Sequence, residues 1–187
     1  MMNNELRSVN NKITTGEAAG ITGGKLYGSP DLEIREIITD SRQSVFQEGT
    51  AFFAIKGPNH DGHNFLSQLY RRSVRIFFVE NLPSGIENFT DAAFIVTNSS
   101  VETLQLLASE KRRRFRGKVI AVTGSAGKTV VKEWLGDIIG SVTPVVRSPK
   151  SYNSQIGVPL SVWKLENKYN VGIIEAGISQ PGEMEKL

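Results

Sequence analysis

The sequence contains no cysteine among its 187 residues. A disulfide framework and a thiolate metal site are therefore both excluded. Small secreted domains with limited cores usually depend on disulfides, so this composition fits a reducing compartment such as the cytosol.

Long apolar runs are also missing. The segment MMNNELRSVN has no apolar core of the kind that a secretory signal needs. No run approaches the roughly 20 apolar residues that span a bilayer. We therefore expect a soluble, cytoplasmic protein without membrane insertion.

The chain also lacks a large excess of charge of either sign. Lys and Arg number 22 against 19 Asp and Glu, which gives a formal net charge of +3. Nucleic-acid binding usually needs a concentrated basic face. The one basic run, KRRRFRGK at residues 111–118, is more typical of a solvated helix end before a strand. We therefore expect no nucleic-acid partner.

The first half of the chain mixes two kinds of apolar pattern. Short apolar runs predict strands, and amphipathic stretches predict helices. The strand patterns are DLEIREIITD, AFFAI (51–55), VRIFFVE (74–80) and AAFIVTN, and the helical ones are HNFLSQLYRRS and the serine-capped SSVETLQLLASEKRRR, with Val101, Leu104 and Ala108 on one face. The pattern predicts a small mixed α/β domain over residues 1–116.

The second half alternates strictly between strand and helix patterns. In order they are KVIAVTG, GKTVVKEWLGDIIG, VTPVVRS, a helix from about Pro159, NVGIIEAG and SQPGEMEKL. This alternation is typical of a parallel sheet covered by helices. Residues 117–187 are therefore predicted to be the first part of a P-loop-type α/β domain. Because three strands make an unfinished sheet of this type, we expect a fragment of a longer protein.

The first helix of this half has a broad apolar face and a glycine, Gly140, as a plausible end. The face consists of Val130, Val131, Trp134, Leu135, Ile138 and Ile139. The strand KVIAVTG before it reads as a buried type.

The turn between that strand and that helix resembles a phosphate-binding loop. Its residues are Gly124, Ser125, Ala126, Gly127, Lys128 and Thr129. Glycines let backbone N–H groups approach a phosphate, and the helix N-terminus adds partial positive charge. Lys128 would reach the β- and γ-phosphates of ATP, and the Thr129 hydroxyl would ligate Mg²⁺. The alternative is a plain turn with a solvated Lys128.

A second metal ligand is predicted at the end of the third strand. Glu175 follows four largely apolar residues, where an unpaired buried carboxylate would be costly. Ligands bind at the carboxyl ends of parallel strands, so we predict that Glu175 faces Thr129. The alternative is a glutamate paired with a nearby lysine. Asn153 and Ser154 border the same edge and can bind a phosphate or substrate, although such residues alone are more often turn formers.

Together these segments resemble the Mur ligase family of ATP-dependent amide-bond-forming enzymes. That family's loop is of the T-G-x-x-G-K-[TS] type, which residues 123–129 match although Val122 replaces the first glycine of the general pattern. SYNSQIGVPLSVW and EAGISQPGEME resemble segments of the member that adds D-Ala-D-Ala. TDSRQSVFQEGTAFFAIKGPNHDGHNF resembles a stretch of its uridine-nucleotide domain. The resemblance runs from about Ile13 to Leu187.

The resemblance implies that residues 1–116 bind the UDP end of UDP-MurNAc-tripeptide. The residues implied near the uridine and diphosphate are Ser41, Arg42, Lys56, Gly57, Asp61, Gly62 and His63, with Ser154 as a further substrate contact and Asn153 on the ATP side. Read without the resemblance, His63 could equally cap the helix that follows it.

The resemblance also implies a reaction. A substrate carboxylate attacks the γ-phosphate of ATP to give an acyl phosphate, and the amine of D-Ala-D-Ala then displaces phosphate. Lys128 and Mg²⁺ on Thr129 and Glu175 would stabilise the charge on the transferred phosphoryl group.

Two departures from the family pattern qualify this reading. Gln180 replaces a histidine that helps hold a second metal ion in many members, which predicts that this second site is absent or differently built. The remaining central strands and the C-terminal domain of the family lie beyond Leu187, so we expect this fragment to be inactive alone. The segment SYNSQIGVPLSVW resembles the corresponding segment of family members that are fused to an alanine racemase.

Three alternatives stay open. A sister ligase would add a single amino acid, since acceptor selection lies mostly outside this sequence. An unrelated phosphate-loop kinase or ATPase would have a glycine instead of Val122 and an aspartate instead of Glu175. A non-catalytic nucleotide-binding module is the third. The oligomeric state is not predicted.

Overall fold

The computed structural model describes residues 11–42, 45–58 and 60–177. They form two compact units. One is Lys12–Leu107, and the other contains Asn11 and the described residues from Ala108 onward. The division lies inside a helix, a few residues before the boundary at residue 116 that the sequence predicts.

The first unit is built on a five-stranded sheet. Its elements are β1 (Ile13–Thr14), α1 (Thr15–Thr22), β2 (Lys25–Tyr27), β3 (Glu33–Ile34), β4 (Glu36–Ile38), β5 (Thr50–Phe53), β6 (Lys56–Gly57), β7 (His60–Asp61), α2 (Leu66–Arg71), β8 (Ile76–Val79) and β9 (Ala93–Val96). The helix α3 (Ser100–Arg114) begins in this unit and continues past its last residue, Leu107. The sheet order is β2-β9-β8-β5-β4, in which β4, β5, β8 and β9 are parallel and β2 is antiparallel.

Paired phenylalanines explain why the central strands read as continuous apolar runs. Phe52 and Phe53 of β5 lie opposite Phe77 and Phe78 of β8. Because successive side chains point to opposite faces of a sheet, Phe53 stacks on Phe78 at 4.1 Å on one face, while Phe77 stacks on Phe94 at 5.0 Å on the other. Both faces of the sheet are therefore covered, as expected for parallel strands.

Most of the predicted elements of this unit are confirmed with shifted ends. The serine-capped helix is α3, where Ser99 Oγ accepts a hydrogen bond from the backbone N–H of Glu102 at 3.3 Å. DLEIREIITD was predicted as one strand, which is wrong. It forms β3, which pairs with β1, and β4, which pairs with β5. Between them the N–H of Arg35 donates to Gly49 O, next to the first residue pair of the β4–β5 ladder.

The second unit contains a three-stranded parallel sheet in the order β10-β12-β11. Its elements are β10 (Lys118–Val122), α4 (Lys128–Gly140), β11 (Val145–Arg147), α5 (Gly157–Trp163) and β12 (Val171–Glu175). The predicted strand–helix alternation and the α/β class are thus confirmed. The helix predicted in SQPGEMEKL lies outside the described residues.

The expectation that β10 is a buried strand is wrong, and most of the apolar face of α4 is exposed. Among the described strands, β10 pairs only with β12; Lys118 and Ala121 are exposed, and Val122 is the buried residue of this strand. The residues of α4 that are buried are Lys132 and Gly136, since α4 packs on β11 and β12 through that side. Four members of its predicted apolar face are exposed, namely Val130, Val131, Trp134 and Ile138.

Two smaller points complete the fold. α4 ends at Gly140 as predicted, although Gly140 does not take the left-handed conformation that is common at helix ends. Within the described ranges, no helix combines the length and the apolar character that crossing a membrane requires.

Candidate functional site

In the loop between β10 and α4, two glycines have positive φ angles. Gly124 and Gly127 have φ angles of 145° and 74°, in the region where residues with side chains are strained. Gly127 is the N-cap of α4 and makes no side-chain capping hydrogen bond. The first N–H groups of a helix need partners from outside the helix, so this loop presents donors suited to an anion.

Lys128 lies over the same loop. Its Nζ donates to the carbonyl oxygen of Gly124 at 2.7 Å, and the side chain is only partly buried. The ammonium group is therefore already positioned above the turn that Ser125 and Ala126 form. A phosphate bound by the loop would compete with Gly124 O for this cation.

Glu175 ends β12 directly opposite Val122, the last residue of β10. Its side chain is 1% exposed. The Thr129 hydroxyl donates to the carboxylate at 2.9 and 3.1 Å, and Asn153 Nδ2 donates to Oε1 at 2.9 Å. The structure therefore brings together the two residues predicted to hold Mg²⁺ and adds Asn153 as a direct partner of the carboxylate.

The loop after β11 places Asn153 and Ser154 differently. The carbonyl oxygen of Asn153 accepts a hydrogen bond from the N–H of Gly177 at 2.8 Å, so that Asn153 is tied to the chain after β12. Ser154 Oγ accepts from the N–H of Gly157 at 3.1 Å, at the start of α5. This geometry supports the turn-forming alternative for Ser154.

The sequence reasoning missed Lys132. Its side chain is completely buried, and its Nζ lies 3.6 Å from Glu175 Oε2. The alternative considered for Glu175, a pairing with a nearby lysine, is thus present together with the contact to Thr129. The spacing in the sequence could have identified Lys132, because it follows Thr129 by three residues and so lies on the same side of α4.

In the first unit, the predicted substrate residues follow parallel strands β4 and β5 at their carboxyl ends. Arg42 binds the Asp40 carboxylate with Nε at 2.9 Å and Nη2 at 2.6 Å. This side-chain hydrogen bond lowers the pKa of Asp40 to about 2. Ser41 is buried, and its carbonyl oxygen accepts a hydrogen bond from Arg72 Nη1 at 3.1 Å.

The segment after β5 forms a small hairpin from β6 and β7, in which Lys56 pairs with Asp61 and Gly57 with His60. Asp61 then caps the turn that follows, where its carboxylate accepts from the backbone N–H of His63 at 2.9 Å. This hydrogen bond is the main cause that lowers the pKa of Asp61. Gly62 is buried against the backbone of Ala54.

Both ring nitrogens of His63 are used inside this unit. Nδ1 lies 2.6 Å from Asp61 Oδ1, and Nε2 accepts a hydrogen bond from the N–H of Glu80 at 3.0 Å. Because Nε2 accepts, the ring proton is on Nδ1 and points to Asp61. The geometry therefore supports a structural role for His63 over direct contact with a substrate.

A cleft of about 350 Å³ opens beside the hairpin. Its lining includes Lys56, Asp61 and His63 together with residues 80–84 after β8. The sequence reasoning did not include residues 80–84. Since β8 is parallel to and adjacent to β5, their carboxyl ends share an edge, and that topology was the missing information.

The comparisons with known proteins agree with this geometry. Residues 122–187 match the Mur ligase middle domain. The UDP-N-acetylmuramoyl-tripeptide–D-alanyl-D-alanine ligases of Buchnera aphidicola and Haemophilus influenzae are 33% and 30% identical to this chain, each over 92% of it. The chain is similar to Mur ligases over nearly its whole length.

Solved Mur ligase structures show the same fold. The Acinetobacter baumannii MurF structure aligns with 94% of this chain at a TM-score of 0.82 and 30% identity. The Thermotoga maritima MurF ligase, solved in complex with ADP, aligns with 82% of this chain at a TM-score of 0.69 and 32% identity. The resemblance predicted from the motifs is thereby confirmed.

These Mur ligases are much longer than the chain. It spans 36% of the Buchnera enzyme, 37% of the Haemophilus enzyme and 38% of the Acinetobacter chain. The similarities favour a Mur ligase over an unrelated phosphate-loop kinase. Gln180, the departure from the family pattern, lies outside the described residues.

Proposed function

We propose that this chain supplies the UDP-substrate site and the first part of the ATP site of a ligase that joins D-Ala-D-Ala to UDP-MurNAc-tripeptide. The observation that carries the proposal is the buried Glu175 carboxylate, which accepts a hydrogen bond from the Thr129 hydroxyl at 2.9 Å. The loop beside it contains two glycines with positive φ angles. Similarity to ligases of this specificity over 92% of the chain supports the choice of substrate.

The phosphate loop binds the β- and γ-phosphates of ATP in this proposal. Backbone N–H groups at the start of α4 donate to phosphate oxygens, and Lys128 exchanges the Gly124 carbonyl for a phosphate oxygen. Lys128 then lies where negative charge spreads over the phosphoryl group during transfer, which is positioning and electrostatic stabilisation rather than covalent catalysis.

The residues beside the loop fit Mg²⁺. Thr129 and Glu175 offer hard oxygen ligands within 3.1 Å of each other. Among the described residues no group of three His, Cys, Asp or Glu could hold a metal ion, so a cage made by the protein alone is not formed there. Mg²⁺ commonly uses one or two protein ligands and completes its shell with phosphates and water. Bound there, it would neutralise charge on the phosphates.

In the first unit, the exposed Arg42 and the cleft beside Lys56 are proposed to bind the diphosphate and uridine of the substrate. Asp40 fixes the orientation of the Arg42 side chain by a hydrogen bond. The contact between Asp61 and His63 fixes two residues that line the cleft. We therefore assign Asp61 and His63 as positioning residues. Cationic side chains with neighbouring N–H donors match the charge of a nucleoside diphosphate.

The proposed reaction has two steps. An oxygen of the substrate carboxylate attacks the γ-phosphorus, and the bond to the β-phosphate oxygen breaks, which yields an acyl phosphate and ADP. The amine of D-Ala-D-Ala then attacks the acyl carbon, phosphate leaves with its bridging oxygen, and the amine loses a proton. The amide product and inorganic phosphate result.

An acceptor assay tests this proposal against a sister ligase. The full-length ligase that carries this sequence should release phosphate with ATP, UDP-MurNAc-tripeptide and D-Ala-D-Ala together, and with no pair of them. Phosphate release with a single amino acid but not with the dipeptide would contradict the specificity. Phosphate release without any UDP substrate would favour a nucleotidase instead.

A further inference from the structure

Lys132 is a buried cation next to the proposed metal ligand, and the proposed mechanism gives it no task. Its side chain is 0% exposed. Lysine is almost never fully buried unless it is paired, so its partners should identify what it does. It lies one helical turn after Thr129, on the side of α4 that faces β11 and β12.

The partners of Lys132 come from three elements. Nζ donates to the carbonyl oxygen of Ser148 at 2.9 Å and also to that of Lys150, both in the loop after β11. It lies 3.1 Å from Glu133 Oε1 on α4 and 3.6 Å from Glu175 Oε2 at the end of β12. One ammonium group therefore joins the helix of the phosphate loop, the β11 loop and the carboxylate.

The β11 loop itself leads to Glu175. Ser148 Oγ accepts a hydrogen bond from the N–H of Glu175 at 2.9 Å. Lys150 has a φ angle of 49°, a left-handed conformation that is uncommon for a residue with a side chain. Three residues later, Asn153 donates to Glu175 Oε1. Lys132 thus supports this carboxylate directly by charge and indirectly through the loop that carries Asn153.

Resting on the proposed function, we propose that Lys132 is a positioning residue that fixes the Glu175 carboxylate and the Asn153 loop for Mg²⁺ binding. Without Lys132, the buried carboxylate loses its counter-ion and the loop loses two carbonyl contacts. A buried charge whose partner is removed is strongly unfavourable, so Glu175 would leave the orientation in which Thr129 and Asn153 hold it.

The opposite prediction follows from charge alone. A cation near a metal site repels Mg²⁺, so its removal would strengthen metal binding if Lys132 acted only through the electrostatic field. A purely structural lysine would instead change protein stability and nucleotide affinity equally with and without metal. The three possibilities therefore differ in the metal dependence of ATP binding.

The test measures ATP affinity by calorimetry in the full-length ligase that carries this sequence, with Mg²⁺ and with EDTA. Lys132→Met keeps the length of the side chain and removes its charge. We expect the affinity gain from Mg²⁺ to fall by about 10-fold or more, the usual effect of losing a residue that orients a ligand. Affinity in EDTA should change by less than about 3-fold. Lys164→Met, at an exposed lysine of the same unit, should leave both values unchanged.

Two further variants keep the outcome decisive. Lys132→Gln, which retains donors to the loop carbonyls, carries the same expectation if Lys132→Met does not fold. In a Glu175→Gln background, Lys132→Met should produce no further loss of the Mg²⁺ effect, because residues that act through one another are not additive.

The results separate this inference from the proposed function. If the unmodified ligase gains no ATP affinity from Mg²⁺, or if Glu175→Gln leaves that gain intact, the proposed metal site is wrong and the inference fails with it. If Glu175→Gln abolishes the gain while Lys132→Met retains or increases it, only the role of Lys132 is overturned.

Discussion

A phosphate bound by the loop would directly change the hydrogen bond that Lys128 makes. Its contact with the Gly124 carbonyl at 2.7 Å involves a partly exposed side chain, so exchange for a phosphate oxygen needs little rearrangement. In the proposed function, the same cation would stabilise the phosphoryl group during transfer, when its negative charge is most spread out. The proposal therefore makes Lys128 more important for chemistry than for substrate binding.

We expect Lys128→Ala in the full-length ligase to slow acyl-phosphate formation by about 100-fold or more, since it removes a preorganised charge from the transition state. Affinity for UDP-MurNAc-tripeptide should change by less than about 2-fold, because the site proposed for that substrate lies in the first unit. ADP release and substrate titration measure the two effects. Lys164→Ala is the matched control, and normal turnover of Lys128→Ala would contradict the assignment.

Asp40 reports the conformation of Arg42. The paired guanidinium holds the pKa of Asp40 at about 2, below its ordinary value of 3.8. A lowered carboxyl pKa stabilises the folded state above the ordinary value, and this contribution is lost as the pH falls through the folded-state value. Arg42 should therefore stay paired with Asp40 throughout the neutral range.

A pH titration followed by NMR checks this pairing. The side-chain carbon of Asp40 should titrate with a pKa near 2. In Arg42→Ala the pKa should rise toward 3.8, its ordinary value, whereas Arg71→Ala, at an exposed residue of α2, should leave it unchanged. An unchanged Asp40 pKa in Arg42→Ala would show that the pair does not form.

At the scale of elements, the hairpin β6–β7 and the turn after it depend on one close approach. A Cβ atom on Gly62 would lie 2.8 Å from Ala54 Cα and 2.9 Å from Ile55 N, which are backbone atoms that cannot easily move. A Cβ atom on Gly57 in the same hairpin would find His60 O at 3.6 Å, an ordinary contact. The two glycines therefore form a natural comparison.

We expect Gly62→Ala to lower the free energy of unfolding by about 1–3 kcal/mol, the usual cost of overpacking. Gly57→Ala should change it by no more than about 0.5 kcal/mol, as most surface substitutions do. Urea unfolding monitored by circular dichroism gives both values. Equal effects for the two substitutions would mean that Gly62 does not pack on Ala54 in this way.

Elements that carry their own local signal were predictable from the sequence. The runs AFF and IFF are apolar at every position because both faces of the sheet are covered. The glycine loop is recognisable because phosphate binding requires backbone freedom at fixed spacing before a helix. The partner of Thr129 followed from one topological rule, that parallel strands end at a common edge.

Features that depend on contacts between distant segments were not predictable in this way. Periodicity marks which residues of α4 share a face but not what that face touches. The buried Lys132 was therefore missed, and Trp134 of the predicted apolar face is exposed. The cleft residues 80–84 required the order of strands in the first sheet. The division of DLEIREIITD depended on Gly49, which bonds to Arg35 between the two strands.

At the scale of the whole molecule, each unit has its own sheet and its own group of candidate ligand-binding residues. The first has the Arg42 and Lys56 region, and the second has the phosphate loop with Glu175. Similarity to Mur ligases extends over both units, since the Buchnera and Acinetobacter alignments cover 92% and 94% of the chain. The central claim is therefore that one chain binds a uridine nucleotide and ATP at separate sites.

A calorimetric titration of the protein with UDP-MurNAc-tripeptide, in the presence and absence of UDP and of ATP with Mg²⁺, tests that claim most directly. We predict that UDP competes with the muramyl nucleotide, that ATP does not, and that Arg42→Ala weakens only the muramyl nucleotide. ATP binding without any UDP-competed site, or competition between ATP and UDP for a single site, would contradict the account.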